Sequence, residues 1–187
     1  MAAYHIVLVH FPIALWTTAA LAILIRALSD STFAKSCDRV LVPLLVLGIV
    51  GGVVAYAVGF LVWPWEALAS SPLGRNHMLA ATWSLAYWIL VAVVRWRAGE
   101  AIWNGAGRWI MLGLAGLGTA LLTIAGTLGG HLSGTATLVS QMLRLLGWEV
   151  YTTFYVPDFI LVVILVAVVI LTAIGFWGQK VAERSTA

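Results

Sequence analysis

IVLVHFPIALWTTAALAILI, residues 6–25, is a run of 20 residues without Asp, Glu, Lys or Arg. A helix needs roughly 20 residues to cross a hydrocarbon core of about 30 Å, so this run predicts a membrane-spanning helix. The whole chain has the same character: 63% of its 187 residues are hydrophobic and 9% are charged. Soluble domains carry about 25% charged residues. The sequence therefore predicts an integral membrane protein.

Four further stretches are apolar enough to cross the membrane: Val40 to Trp63, Met78 to Val94, Trp109 to Gly130, and Phe159 to Gln179. We expect an all-α fold of five transmembrane helices, the first four forming a bundle. Residues 1–135 are then the four-helix membrane bundle, 136–157 an outer interfacial segment, and 158–187 the fifth transmembrane helix with a tail. In the middle segment Leu138, Met142 and Leu145 recur at helical spacing, which predicts a short helix lying in the interface.

The basic residues predict the orientation, because Lys and Arg in short loops stay on the cytoplasmic side. Eight of them fall on one face: Arg26, Lys35, Arg39, Arg95, Arg97, Arg108, Lys180 and Arg184. The other face carries only Arg75 and Arg144. We expect the N-terminus outside, the C-terminus in the cytoplasm, and a multi-pass protein of the bacterial inner membrane. The net charge of +3 belongs to this cytoplasmic collar and does not indicate nucleic-acid binding.

All four histidines fall at the outer face. His5 and His10 open the first span, His77 opens the third and His131 closes the fourth. Ionisable residues in a membrane bundle indicate function by default. Pro12 suits the first turn of a helix, because its missing N–H would be unpaired there. This position predicts that His10 swings inward beside His77 and His131.

Small residues accompany the histidines. Ala81 and Ser84 share a helix face with His77, and Gly126 and Gly130 stand in GxxxG spacing just before His131. Such glycines allow close helix packing, and they would also admit the edge of a flat ligand.

Imidazole is the commonest biological ligand of metals. Two imidazoles on facing helices suit a b-type haem, whereas copper or zinc would use three. We expect one haem b, with His77 and His131 as the axial pair and His10 as the alternative ligand. His5 is a further candidate. The single cysteine, Cys37, excludes a CxxCH haem attachment site. Paired carboxylates for hydrolysis, a phosphate loop and HExxH are missing too, so no catalytic residue is assigned.

Three stretches resemble a known family. They are LVHFPIALW (8–16), the isolated mid-chain histidine His77, and AGTLGGHLSG (125–134). They resemble the bacterial predicted-membrane-protein family of unknown function whose first helix opens V-H-F-P-I-A-L, over roughly residues 5–135. His10 and Pro12 match that opening, and Gly129 and Gly130 match the ending of the fourth helix. His131 and the fifth span lie outside the resemblance. The plan is also similar to histidine-ligated membrane cytochromes b in general.

Two functional hypotheses follow. In the first, the chain is an electron-transfer subunit of an oxidoreductase complex and has no catalytic activity alone. Its partners would be a periplasmic redox protein or other subunits of a respiratory complex, and a quinone could serve as the membrane partner. In the second, the chain is a non-redox scaffold, or a small-molecule or metal-handling protein, whose histidines only bond to backbone.

Overall fold

The computed structural model describes residues 2–152 and, further along the chain, residues 162–163, 165–166, 169–170 and 173. The described residues are helical wherever they are regular, and none forms a strand. Four helices are long and apolar enough to cross a membrane. They are α1 (Ala2–Leu28), α2 (Thr32–Val62), α4 (Pro72–Ala98) and α5 (Gly107–Leu132). The predicted fifth span, Phe159 to Gln179, lies largely outside the described residues.

Three short elements join or follow the long helices: α3 (Trp65–Ala69), a 3₁₀ turn (Gly99–Trp103) and α6 (Leu138–Leu145). The predicted short helix of the outer segment is thus present as α6, with Leu138, Met142 and Leu145 exposed. Side-chain caps explain where three helices begin, because a hydroxyl can accept from a first-turn N–H. Ser31, Ser71 and Thr137 cap α2, α4 and α6 in this way.

Pro12 is not in the first turn, contrary to the prediction. Helix α1 begins at Ala2, so the proline lies inside it. Residues 2–11 contain no glycine or proline, and a membrane helix tolerates a proline once neighbouring groups satisfy the freed carbonyl. The helix therefore continues one to two turns beyond the apolar run that the sequence marks out.

The long helices form two antiparallel hairpins, α1–α2 and α4–α5. The hairpins pack through α1 against α5 and through α2 against α4. Two indole rings fill the middle of the bundle: Trp16 of α1 and Trp88 of α4 stack with centroids 5.7 Å apart and planes 9° apart. Both side chains are buried. One end of this bundle carries the histidines and is called the histidine end; the other is called the arginine end.

Ion pairs join the helices at the arginine end. Arg95 of α4 donates from Nε and Nη2 to both carboxylate oxygens of Asp38 of α2, at 2.8 and 2.6 Å, and both side chains are buried. In the α1–α2 loop, Asp30 accepts from Arg26 and from Arg108 of α5. These two guanidinium groups, Arg26 foremost, lower the pKa of Asp30. Each of the four long helices thus contributes to an ionic tie at this end.

Candidate functional site

The histidine end contains a cavity of about 390 Å³ between the four long helices. Three of the four histidines line it: His5 and His10 from α1 and His77 from α4. The remaining walls are mostly apolar or glycine, and no Asp, Glu, Lys or Arg lines it. A mostly apolar pocket of this size with a few converging polar groups is typical of a small-molecule or cofactor site.

His5 is held by the backbone of the neighbouring helix. Its Nδ1 lies 2.9 Å from the carbonyl oxygen of Ala55 in α2. A carbonyl can only accept, so Nδ1 carries the proton and Nε2 keeps its lone pair. The edge of the Trp63 ring packs against the imidazole, with centroids 5.2 Å apart. The ring is therefore fixed in both tautomer and orientation.

His77 repeats this arrangement in the second hairpin. Its Nδ1 donates to the carbonyl oxygen of Ala125 in α5, at 3.1 Å. Within the part of the chain that the structure describes, Nε2 of neither His5 nor His77 makes a hydrogen bond. The two rings are close enough for an electrostatic interaction. Metal-binding histidines almost always donate the second ring N–H to a backbone carbonyl or carboxylate, as these two do.

Glycines lie against both rings. A Cβ placed on Gly59 would lie 3.0 Å from Cε1 of His5, and one placed on Gly129 would lie 3.0 Å from Cε1 of His77. Each glycine follows the carbonyl-bearing alanine by four residues, one helical turn along the same face. Carbonyl and glycine together seat each imidazole flat against the partner helix.

The two hairpins therefore carry the same pattern. His5 and Trp16 are separated by the same ten residues as His77 and Trp88. In the partner helices, Gly48, Ala55 and Gly59 have the spacing of Gly118, Ala125 and Gly129. Gly48 contacts Trp16 as Gly118 contacts Trp88. Since α1 and α4 start at the same end, the bundle has an approximate two-fold axis along its length, with one histidine on each side.

His10 and His131 are placed differently. His10 is exposed yet lines the cavity, and its Nδ1 donates to the carbonyl oxygen of Ile6 one turn earlier, at 2.6 Å. His131 does not line the cavity. Its Nδ1 pairs with the Tyr151 hydroxyl at 2.9 Å, and the two rings meet edge to face. The structure thus brings together His5, His10 and His77 and leaves His131 apart.

The residues beneath His77 lie where the sequence places them, since Ala81 and Ser84 both line the cavity. Ala14 and Thr17, the residues below His10, do not line it. Among the described residues, no group of three or more His, Cys, Asp or Glu could hold a metal ion. This finding gives no ligand set for the three-imidazole copper or zinc alternative there. A pair of axial imidazoles falls below that threshold of three.

Sequence reasoning missed the pairing of His5 with His77. It looked for ligands on consecutive antiparallel helices, whereas the structure places them on the first helix of each hairpin. A signal was present in the repeated His-x10-Trp and Gly-x6-Ala-x3-Gly patterns, which recur 72 and 70 residues later. Internal repeats of this kind indicate structurally equivalent units.

Comparison with known proteins gives one match. No curated protein and no solved structure matches the chain. The model of one family, described as predicted membrane protein (DUF2231), matches residues 2–141, which contain all four long helices and the whole cavity lining. The resemblance drawn from the VHFPIAL opening is thereby confirmed, and the chain belongs to this family of predicted membrane proteins.

Proposed function

We propose that this chain is a membrane electron-transfer subunit that holds one b-type haem between His5 and His77. The observation that carries the proposal is the matched pair of imidazoles across one cavity. Each donates its Nδ1 proton to a backbone carbonyl and keeps Nε2 for a ligand. That is the state an imidazole needs in order to bind iron.

The residues present fit a haem in three respects. Two imidazoles on opposite sides of the bundle are the axial set of a b-type cytochrome. The flanking glycines leave a flat slot, and the apolar walls suit a porphyrin face. When bound, such a haem supplies one-electron transfer. The helices hold the two imidazoles in place, and the stacked pair Trp16 and Trp88 closes the cavity below.

This pairing uses His5 in place of His131. The choice of His131 as a ligand stays a prediction, but its bond to Tyr151 and its position away from the cavity favour His5. His10 reaches the cavity from its exposed side and acts as a neighbour of the site. Location in the bacterial inner membrane and exchange of electrons with a periplasmic redox protein belong to the same proposal.

Visible spectra of haem-loaded protein test this function. We expect a Soret band in the wild type, and one haem per chain in a pyridine haemochrome assay. His5→Gly and His77→Gly should each lose the six-coordinate spectrum, and added imidazole should restore it by occupying the vacated space. His131→Gly is the matched control and should keep the spectrum.

Two outcomes would overturn parts of this proposal. If His131→Gly loses the spectrum while His5→Gly keeps it, the axial pair is His77 with His131. If the wild type takes up no haem, the scaffold or small-molecule alternative stands, because histidines that only bond to backbone would also satisfy the observed Nδ1 contacts.

A further inference from the structure

The cavity extends below the two imidazoles. Its lining continues from His5 down α1 to Trp16, eleven residues further along, which is about 16 Å of helix. Two polar residues line this lower part from different helices. His10 lies about 7.5 Å below His5, and Ser84 lies about 10.5 Å below His77, so the two stand at similar depth.

Ser84 is unusual among the hydroxyl residues of these helices. Thr18, Ser36, Thr82, Thr119 and Thr123 all donate to the carbonyl four residues earlier. Ser84 is 2% exposed, and its Oγ has no hydrogen-bond partner among the described residues. Buried polar groups are nearly always paired, so an unpaired hydroxyl in a cavity wall indicates a missing ligand atom.

His10 has the complementary chemistry. Its Nδ1 proton is engaged by the carbonyl of Ile6, so Nε2 can only accept a hydrogen bond. The site therefore offers one hydroxyl that can donate, from Ser84, and one nitrogen that accepts, from His10. A ligand that satisfies both carries one oxygen that accepts and one hydroxyl that donates.

The cavity also has an entrance from the side. Ile6, His10 and Gly126 all line the cavity and are also exposed. A Cβ on Gly126 would meet nothing within 4 Å. These residues belong to α1 and α5, which pack against each other, and they lie within the candidate membrane spans. The entrance therefore faces lipid when the bundle spans a membrane.

We propose that the lower part of this cavity binds the ring of a lipid-soluble hydroquinone, which enters between α1 and α5. One ring oxygen accepts from Ser84, and the opposite hydroxyl donates to Nε2 of His10. The oxidised quinone has no hydroxyl to donate, so the reduced form binds more tightly. The site would supply reductant to the proposed haem and in that sense rests on the proposed function, but binding itself requires no iron.

Binding of a decyl-substituted benzohydroquinone to the full-length protein in detergent tests the site, with the melting-temperature shift and the Kd as readouts. We expect saturable binding, and a roughly tenfold weaker Kd for Ser84→Ala, the loss expected for one hydrogen bond. Without ligand, Ser84→Ala should melt at the wild-type temperature or above, because the variant removes an unpaired buried hydroxyl. Ser36→Ala is the matched control and should leave the Kd unchanged.

His10→Phe gives a second, independent measurement. It should abolish the preference for the hydroquinone over the quinone while Ser84→Ala retains that preference. Wild-type affinity in both variants, or no saturable binding by the wild type, would overturn the proposal. The Soret spectrum, recorded on the same samples after haem loading, reports the haem proposal separately, and Ser84→Ala should leave it unchanged.

Discussion

Single glycines decide how the two imidazoles are seated. Gly129 lies one turn beyond Ala125, and the His77 ring rests on it while donating to the Ala125 carbonyl. Gly59 does the same for His5. A methyl group at either position would stand at 3.0 Å from Cε1 of the ring, closer than ordinary van der Waals contact. The ring would have to move away from its carbonyl.

Replacing Gly129 with alanine tests this seating. The substitution should lower haem affinity by about 10- to 100-fold, the usual cost of disturbing a partner of a metal-binding histidine. Spectroscopic haem titration measures the effect. Gly116→Ala on the same helix is the control, because its Cβ would meet nothing within 4 Å; it should keep the affinity and gain about 0.5–1 kcal/mol from helix propensity. Equal affinities in the two variants would argue against the proposed seating.

Pairs of helices are fixed mainly at the arginine end. Asp38 and Arg95 form a two-bond ion pair between α2 and α4, with both side chains nearly inaccessible. Removing one member of such a pair leaves a buried charge without compensation, which is far more costly than losing an exposed pair. This ion pair therefore keeps the two hairpins in register while the histidine end stays open as a cavity.

The Asp38→Asn substitution should destabilise the protein by about 3–5 kcal/mol, because Arg95 keeps its charge in a buried position. Denaturant unfolding in detergent measures this loss. Glu149→Gln is the comparison, since Glu149 pairs with Arg144 at 2.9 Å in a largely exposed position, and exposed pairs contribute about 0–1 kcal/mol. A loss below 1 kcal/mol for Asp38→Asn would show that the ion pair does not hold α2 against α4.

At the scale of the whole molecule, the repeat places both proposed ligands at one end. Each hairpin crosses the bundle twice, so α1 and α4 begin on the same side whichever way the protein is inserted. The basic residues then predict that this side faces outward, with the arginine end in the cytoplasm. A cytoplasmic arginine end and an outward haem site are thus one prediction.

Reporter insertions into two exposed loops test that orientation. Green fluorescent protein inserted at Gly105, at the arginine end, should fluoresce, whereas insertion at Gly134, at the histidine end, should stay dark when exported unfolded. Both glycines are exposed and have positive φ, at 53° and 78°, and loops of this kind tolerate insertions. Alkaline phosphatase at the same positions should give the opposite pattern. The reverse result at both positions would place the histidine cavity on the cytoplasmic side.

The sequence by itself determined the depth of each residue. Apolar runs such as residues 6–25 specify four described spans, and the short connections between them require antiparallel hairpins. Counting spans from the N-terminus then puts all four histidines at one end. Depth is readable because hydrocarbon and water differ so strongly along the membrane normal that hydropathy alone selects it.

Only the tertiary structure decided which histidines meet. His5 and His131 lie at the same end, yet one faces the cavity and the other pairs with Tyr151. That difference is a rotation about the helix axis, to which hydropathy is nearly blind, because lipid tails are as apolar as leucine. Rotation is set by packing between helices: Trp16 against Gly48, Trp88 against Gly118, and each imidazole against a carbonyl of its neighbour. Such contacts exist only once the helices have assembled, which is why the pairing of His5 with His77 had to come from the fold.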